Sequence, residues 1–477
     1  MPQTLFPFRV ELLWTDALVW LLVATVIGYA AYARAHPHLR APWSRVSRSA
    51  SGMAAAVILA VFVLAGLLDS VHYRPALPPQ DGKAAYATEL RSLLDLVLQP
   101  LREKREKTYS APLATHLYAK ETLQLPDGRE VREFPRLRHG GAHLKDPAAD
   151  RLGDVTLRGF RGLVVALLVW FTAAIVLSAA VAQRAGIGIE TAWGDIWRGR
   201  TAIPWRAALC ALAVLAVFAG PVVALAPHYH VFGTDKVGQD VLYQALKSIR
   251  TGMVIGTLAT LVMLPFALVL GVMAGYLKGR VDDMIQYLYT TLSSIPGVLL
   301  IAAAVLMMQV YIENHAALFP TTEIRADVRL IALCVILGVT SWTGLCRLLR
   351  GEALKLREME YIQAAHAFGV SHWRIMMRHL MPNVMHIVMI ALVMDFSGLV
   401  LAEAVLSYVG VGVDPSMISF GTMINSARLE MAREPMVWWS LAAAFVFMLT
   451  LVLAANIFAD AVRDAFDPRL VRAGAAS

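Results

Sequence analysis

Charge and cysteine are both scarce in this sequence. Asp, Glu, Lys and Arg make up 16% of the 477 residues, against about 25% in a soluble globular chain. Hydrophobic residues reach 58% and the mean hydropathy is +0.58, so a water-soluble enzyme is nearly excluded. The three cysteines, Cys210, Cys334 and Cys346, all lie in apolar stretches, which leaves no disulfide framework and no four-cysteine zinc site. No glycine-rich phosphate loop ending in Gly-Lys-Ser or Gly-Lys-Thr occurs, so the chain cannot cradle ATP in the usual manner. The His-Glu-x-x-His and Gly-x-Ser-x-Gly patterns are missing too, and with them any hydrolase reading. No catalytic residue and no metal ligand is assigned.

What the chain does have is long uncharged runs. A bilayer core about 30 Å thick needs roughly 20 apolar helical residues. Eight stretches qualify, at 17–33, 49–68, 162–183, 207–227, 251–277, 284–312, 330–346 and 435–459, and a ninth at 384–401 is interrupted only by Asp395. Segments this long must satisfy their own backbone groups in lipid, so they are read as helices. The predicted class is an all-α polytopic membrane protein with about nine transmembrane helices. Alternate loops hold 19 Lys and Arg, and the opposite short loops with the amino terminus hold 8. The arginine-rich side is cytoplasmic by the positive-inside rule, with Arg34, Arg40, Arg45 and Arg48 setting the amino end. This predicts an external N-terminus and a cytoplasmic C-terminus.

Residues 81–160 carry 26 of the chain's 78 charges, so 70–161 is expected to be a small polar α/β insert on the extracytoplasmic side. Leu90, Leu93, Leu94, Val97 and Leu101 recur at helical spacing. Leu123, Leu125, Pro126, Asp127, Gly128 and Val131 suggest two strands around a turn. The insert is a solvated cap or a docking surface for an external partner. A thiol placed at Ser110 is expected to react from outside.

The loop 352–382, on the arginine-rich side, reads as two short helices. Tyr361, Ile362, Ala365 and Phe368 form a stripe on the first, Gly369 permits the turn, and Ser371 is the expected N-cap of the second. Trp373, Ile375, Met376 and Leu380 continue the apolar face, and Pro382 is expected to end the helix before span eight. Such a loop suits a lever seated in another protein's groove, with small Ala364 and Ala365 permitting close approach.

These residues resemble a known family. Gln363, Ala364, Ala365, Gly369 and the run His379 to Pro382 are similar to the EAA loop of ABC-importer membrane subunits, with Gln363 in place of the family's Glu, His379 in place of Ile and Met381 in place of Leu. Phe232, Gly233, Thr234, Asp235, Gly238, Gln239, Asp240 and Val241 resemble the signature of the dipeptide, oligopeptide and nickel permease branch, with Gln239 replacing Arg. Ser294, Ile295 and Pro296 sit early in the predicted span six as in that branch. The run Glu403, Ala404, Val405, Leu406, Ser407, Tyr408, Val409, Gly410 is similar to its next motif, followed by Gly412, Pro415 and the Ser419, Phe420, Gly421 turn. Arg463 to Arg469 resembles its closing motif. The likeness covers 232–470, half of the chain.

The resemblance implies a type I ABC-importer permease core at 206–470, after extra helices at 1–69, the insert at 70–161 and a third helix with its loop at 162–205. It implies a peptide importer in which ATP-Mg is bound by partner ATPase subunits and nothing by this chain. The other partners implied are a second permease, in a heterodimer, an extracytoplasmic substrate-binding protein and the lipid bilayer of the bacterial inner membrane; nucleic acid is not among them. Nickel chelates or antimicrobial peptides are alternative cargo, and a sensor or assembly protein built on a permease half is the alternative class. Gly233, Asp235, Asp240, Pro296, Glu403, Ser407, Gly410 and Gly421 carry structural or gating roles by this likeness. Asp395, an acid inside a span, either lines the pathway or pairs with His386 or a polar group of a neighbouring helix.

Overall fold

The computed structural model describes residues 8–80, 83–124, 130–319 and 321–466. In chain order these form strand β1 (Phe8–Glu11) and helices α1 (Trp14–Ala35), α2 (Pro37–Val46) and α3 (Ala50–Asp69). The insert follows with β2 (His72–Gln80), β3 (Lys83–Tyr86), β4 (Arg91–Ser92), α4 (Leu93–Val97), α5 (Gln99–Arg102), β5 (Glu121–Gln124) and β6 (Glu130–Glu133). Helices α6 (Pro147–Ala185), α7 (Ile189–Trp197), α8 (Trp205–Leu225), α9 (Val241–Leu277), α10 (Gly279–Ser294) and α11 (Gly297–Asn314) come next. The remainder is α12 (Thr322–Ser341), α13 (Thr343–Arg357), α14 (Glu360–Ala367), α15 (His372–Ile375), α16 (Met381–Val409), α17 (Phe420–Glu430) and α18 (Trp439–Phe466).

Among the described residues eight helices are long and apolar enough to cross a membrane, or nine if α12 and α13, bent by 40° at their junction, count as one span. Several boundaries differ from expectation: α6 and α9 start well before 162 and 251, and the run 330–346 crosses the junction of α12 and α13. The run 284–312 is not one span: Ile295 is extended (φ −86°, ψ 131°) and Pro296 starts a new helix. A proline biases the residue before it away from helical geometry, so Pro296 stands at a break between α10 and α11 and not within a span. Pro382 does not end a helix either. It sits in the first turn of α16, directly after a π-helical turn, Met376–Leu380, within one helical run from His372 to Val409.

The described residues fold as two compact units interleaved along the chain, one of 8–12, 45–251 and 418–454, the other of 13–44, 252–417 and 455–466. In the first, α6 packs along α8 and α3 packs on α8. Gly162 faces Gly220 across the α6–α8 contact with no room for a Cβ on either, the small-residue approach that membrane helices use. Strands β1, β3 and β4 all pair antiparallel with β2, and β5 pairs antiparallel with β6. The expected strand pair is thus present, while the turn residues Leu125, Pro126, Asp127 and Gly128 lie outside the described residues. The single helix expected over Leu90 to Leu101 is two, because Pro100 opens α5. Leu94 and Leu101 are buried, and Val97 is exposed.

In the second unit one core joins Met263, Val272 and Tyr276 of α9 to Leu345, Cys346 and Leu349 of α13. Another joins Ile255 and Leu258 of α9 to Leu330, Leu333 and Leu337 of α12 and Leu399 and Leu406 of α16. Helix α1 docks on α12 through its exposed backbone donors. Leu13 offers no capping side chain, and the N–H groups of Trp14 and Thr15 donate to Asp327 at 2.9 and 3.3 Å. A carboxylate from a neighbouring helix thereby satisfies groups that a helix start leaves open.

Candidate functional site: the lever and the strapped signature loop

The segment 352–382 folds as the sequence suggests, with a different division between anchor and free face. Ile362, Ile375, Met376 and Leu380 are buried in the core formed by α9, α10 and α13. Tyr361, Phe368 and Trp373 are not part of that anchor: Phe368 is 87% exposed and Trp373 58%. On helices this short only one turn can face inward, which leaves large apolar side chains on the outer surface. Gly369 takes φ +74° with open space around it, a conformation that costs other residues about 1–2 kcal/mol. Ser371 occupies the N-cap position of α15 yet makes no side-chain cap bond. Gln363 is exposed and donates to the Glu358 carbonyl at 3.2 Å. Ala364 is exposed and Ala365 half-buried. The lever's base is fixed by Arg350, whose guanidinium grips both Asp282 oxygens at 2.6 and 2.7 Å, the bidentate geometry suited to arginine.

Asp395 lies half-buried in α16 and makes no hydrogen bond or ion pair among the described residues. The expected alternative partner, His386, turns its Nδ1 to the Asn383 carbonyl instead, at 2.8 Å. Further along α16, buried Ser407 donates to buried Glu403 at 2.7 Å, and the Val413 N–H reaches the Ser407 oxygen at 3.4 Å. Gly410 closes the helix at φ +87°. In the other unit, Ser419 and Thr422 cap α17 reciprocally, at 3.0 and 2.9 Å, around Phe420 and Gly421. Of the closing motif, Arg463 to Phe466 end α18, and Asp467, Pro468 and Arg469 lie outside the described residues.

Sequence reasoning missed how the insert meets the 232–241 signature. Residues 104–118 form a strap along it. The Glu106 N–H donates to the Gly238 carbonyl at 2.9 Å, Ser110 N–H to Thr234 Oγ1 at 2.7 Å, Thr234 N–H to the Ser110 carbonyl at 3.0 Å and Leu113 N–H to the His230 carbonyl at 2.9 Å. A Cβ on Gly233 or Gly238, both at φ +72°, would run into strap carbonyl oxygens. Asp240 caps the start of α9 through the Leu242 N–H at 2.9 Å. Asp235 closes its own turn through the N–H groups of Val237 and Gln239, at 3.0 and 2.8 Å. Gln239, where the family has Arg, stays within this turn, beside Gln244.

One buried charge cluster holds the strap, and a second ties the preceding part of the insert to α9. His230 Nδ1 meets Asp240 at 2.8 Å, and its Nε2 faces Glu106 at 3.4 Å, too loosely aligned for a hydrogen bond but close enough for charge attraction. Glu106 also accepts from the backbone of Arg138, His139 and Gly140 at 2.9, 2.8 and 3.2 Å. Burial works against both charges, yet the mutual bonds win: His230 is pushed up to about 9, and Glu106 down to about 2 by His230 and the three N–H donors. In the second cluster Lys247 of α9 meets Asp69 at 2.5 Å and Asp95 at 3.1 Å, and Tyr243 donates to Asp95 at 2.7 Å. The spaced aspartates were visible in the sequence; that they converge on one lysine was not.

Membrane-length helices carrying an exposed two-helix lever on buried anchors define a multi-pass membrane transport subunit. The family described as binding-protein-dependent transport system inner membrane component matches residues 267–472. The oligopeptide transport system permease protein OppC of Mycobacterium tuberculosis is 32% identical over 239 residues, 50% of this chain and 76% of that protein. The glutathione transport system permease protein GsiD of Pectobacterium atrosepticum is 30% identical over 241 residues, 50% of this chain and 73% of that protein. The dipeptide transport system permease protein DppC of Lactococcus lactis is 28% identical over 240 residues, and there the match spans 64% of the relative, under two thirds of its length. The chain belongs to the binding-protein-dependent transport system inner membrane component family.

Proposed function

We propose that this chain is the permease subunit of an ATP-driven peptide importer, forming half of the translocation pathway and receiving motion from a cytoplasmic ATPase through 352–382. The lever carries the reading: its buried side chains, Ile362, Ile375 and Leu380, fix it to α9 and α13, while Phe368 and Trp373 stand free for a partner's groove. The names of the relatives, which transport oligopeptides, dipeptides and glutathione, support peptides as cargo. ATP and magnesium belong to two partner ATPase subunits, since the chain has no phosphate loop. A second permease and an extracytoplasmic binding protein complete the assembly. Pull-down of the tagged chain from solubilised native membranes tests this: an ATPase pair, a second permease and a binding protein should be recovered, and recovery of none of them would sink the reading.

The orientation proposed is N-terminus outside and C-terminus cytoplasmic in the inner membrane, on the arginine distribution. Ser110 is wholly buried under Thr234 and cannot report it, contrary to its expected reactivity. Lys107, with its side chain 68% exposed, can. A Lys107→Cys chain should react with an impermeant thiol reagent in intact cells, and protection there while lysed cells react would reverse the topology.

Asp395 is proposed to face the pathway, because an unpaired acid inside a span is costly unless it serves transport. Asp395→Asn should lower peptide uptake by about tenfold or more, the loss that roughly 1.4 kcal/mol represents, with normal amounts of folded protein. Uptake at the wild-type rate would remove Asp395 from the pathway.

A further inference from the structure

The strap also reaches the turn between α17 and α18. Tyr118 donates to the Met436 carbonyl at 3.2 Å and packs edge-on against Trp439, whose indole N–H donates to the Thr234 carbonyl at 2.9 Å. At the centre is Tyr109. Its hydroxyl donates to Glu430 Oε1 at 3.1 Å, and the Arg433 guanidinium lies 5.3 Å from its ring centre. Glu430 is only 4% exposed, and its Oε2 is buried with no hydrogen-bond partner among the described residues. Glu430 and Arg433 are three residues apart across a turn, joined by the Arg433 N–H to the Glu430 carbonyl at 3.3 Å. Tyr109 thus touches both the acid and the base, its hydroxyl on Glu430 and its ring under Arg433.

We propose that Tyr109 is a wedge and that Glu430 is the switch of a strap with two states. In the closed state described, a protonated Glu430 accepts the Tyr109 hydroxyl. In the open state, ionised Glu430 pairs with Arg433 and the strap leaves the 230–240 loop. The physical drive is the buried orphan oxygen, tolerable on a neutral carboxyl and expensive on an anion. The groups facing the site agree with this direction: burial raises the Glu430 carboxyl above its ordinary range, the Tyr109 bond opposes that, and the charge of Asp235 adds to the rise, against Lys236 and Arg433. A carboxyl raised in the closed state favours that state at low pH and loses its contribution as pH climbs through the raised value. The His230 cluster loosens upward as well, through about 9, so the test must separate the two.

Hydrogen exchange on the full-length protein in nanodiscs reads the strap through the amides of Glu106, Ser110 and Leu113, each bonded to the 230–240 loop. Comparing proteins at the same pH cancels intrinsic exchange. As pH climbs through the raised Glu430 value, the wild type should lose protection at these amides more than Glu430→Gln, by up to about tenfold per pH unit for one linked proton. Arg433→Gln, which removes the alternative partner together with the cation over the Tyr109 ring, should also delay the loss, and it decides the matter alone if Glu430→Gln does not fold. Parallel loss of protection in wild type and variants would overturn the switch and assign the pH response to His230.

Discussion

Glu106→Ala should destabilise the unit that holds the insert by about 3–5 kcal/mol, the cost of breaking a buried ion pair and leaving one partner charged. The loss is large because Glu106 answers three donors and a charge at once: it accepts the N–H groups of Arg138, His139 and Gly140 and faces the His230 imidazolium. Removing it leaves three buried N–H groups open and the His230 cation with Asp240 as its remaining partner. The pH dependence follows from the two shifts. Glu106, with an ordinary value of 4.5 and a folded value of about 2, contributes stability that is present above 4.5 and lost as pH falls through 2. His230, raised from 6.5 to about 9, contributes below 6.5 and loses it as pH rises through 9. Insert docking should therefore be strongest between 4.5 and 6.5 and weaken on either side. Thermal unfolding in detergent across pH, read against Glu106→Ala, checks both parts. A variant as stable as wild type with an unchanged pH profile would show that the cluster does not hold the strap.

Gly369→Asp should abolish recovery of the ATPase pair in the pull-down and stop peptide uptake, while the protein remains in the membrane. At φ +74° an aspartate suffers about 1–2 kcal/mol of backbone strain, which is borne locally because nothing lies within 4 Å of the added Cβ. The strain is relieved by changing the angle between α14 and α15, and that angle sets where Phe368 and Trp373 point. Since Ile362 and Ile375 stay anchored, the core survives and the docking face does not. Size-exclusion profiles should match wild type. ATPase recovery equal to wild type would mean that 352–382 is not the coupling element.

Different parts of this molecule were legible to different degrees. Runs of uncharged residues specify membrane helices through length and hydropathy alone, so the presence and order of the spans were readable, while α6 and α9 begin at Pro147 and Val241, well before the uncharged runs at 162 and 251, and Pro296 and Pro382 had to be assigned to a break or to a first turn. That choice depends on what precedes the proline, and the π-helical turn before Pro382 has no sequence mark. The lever was readable because Gly369 and its flanking apolar residues are local. Which of those residues face inward was not: Ile362 and Phe368 are equally apolar, and only the position of α9 and α13 decides between them.

The strap is the opposite case. Glu106, His230 and Asp240, or Asp69, Asp95 and Lys247, are ordinary charged residues in a sequence, separated by as many as 178 positions. No periodicity joins them. Composition alone determined that this chain is a helical membrane protein with one polar insert, because burying backbone in lipid and charge in water leaves few alternatives. Tertiary structure decided that the insert is fastened to the 232–241 signature by buried charges, because pairing in a low-dielectric interior depends on where distant segments come together.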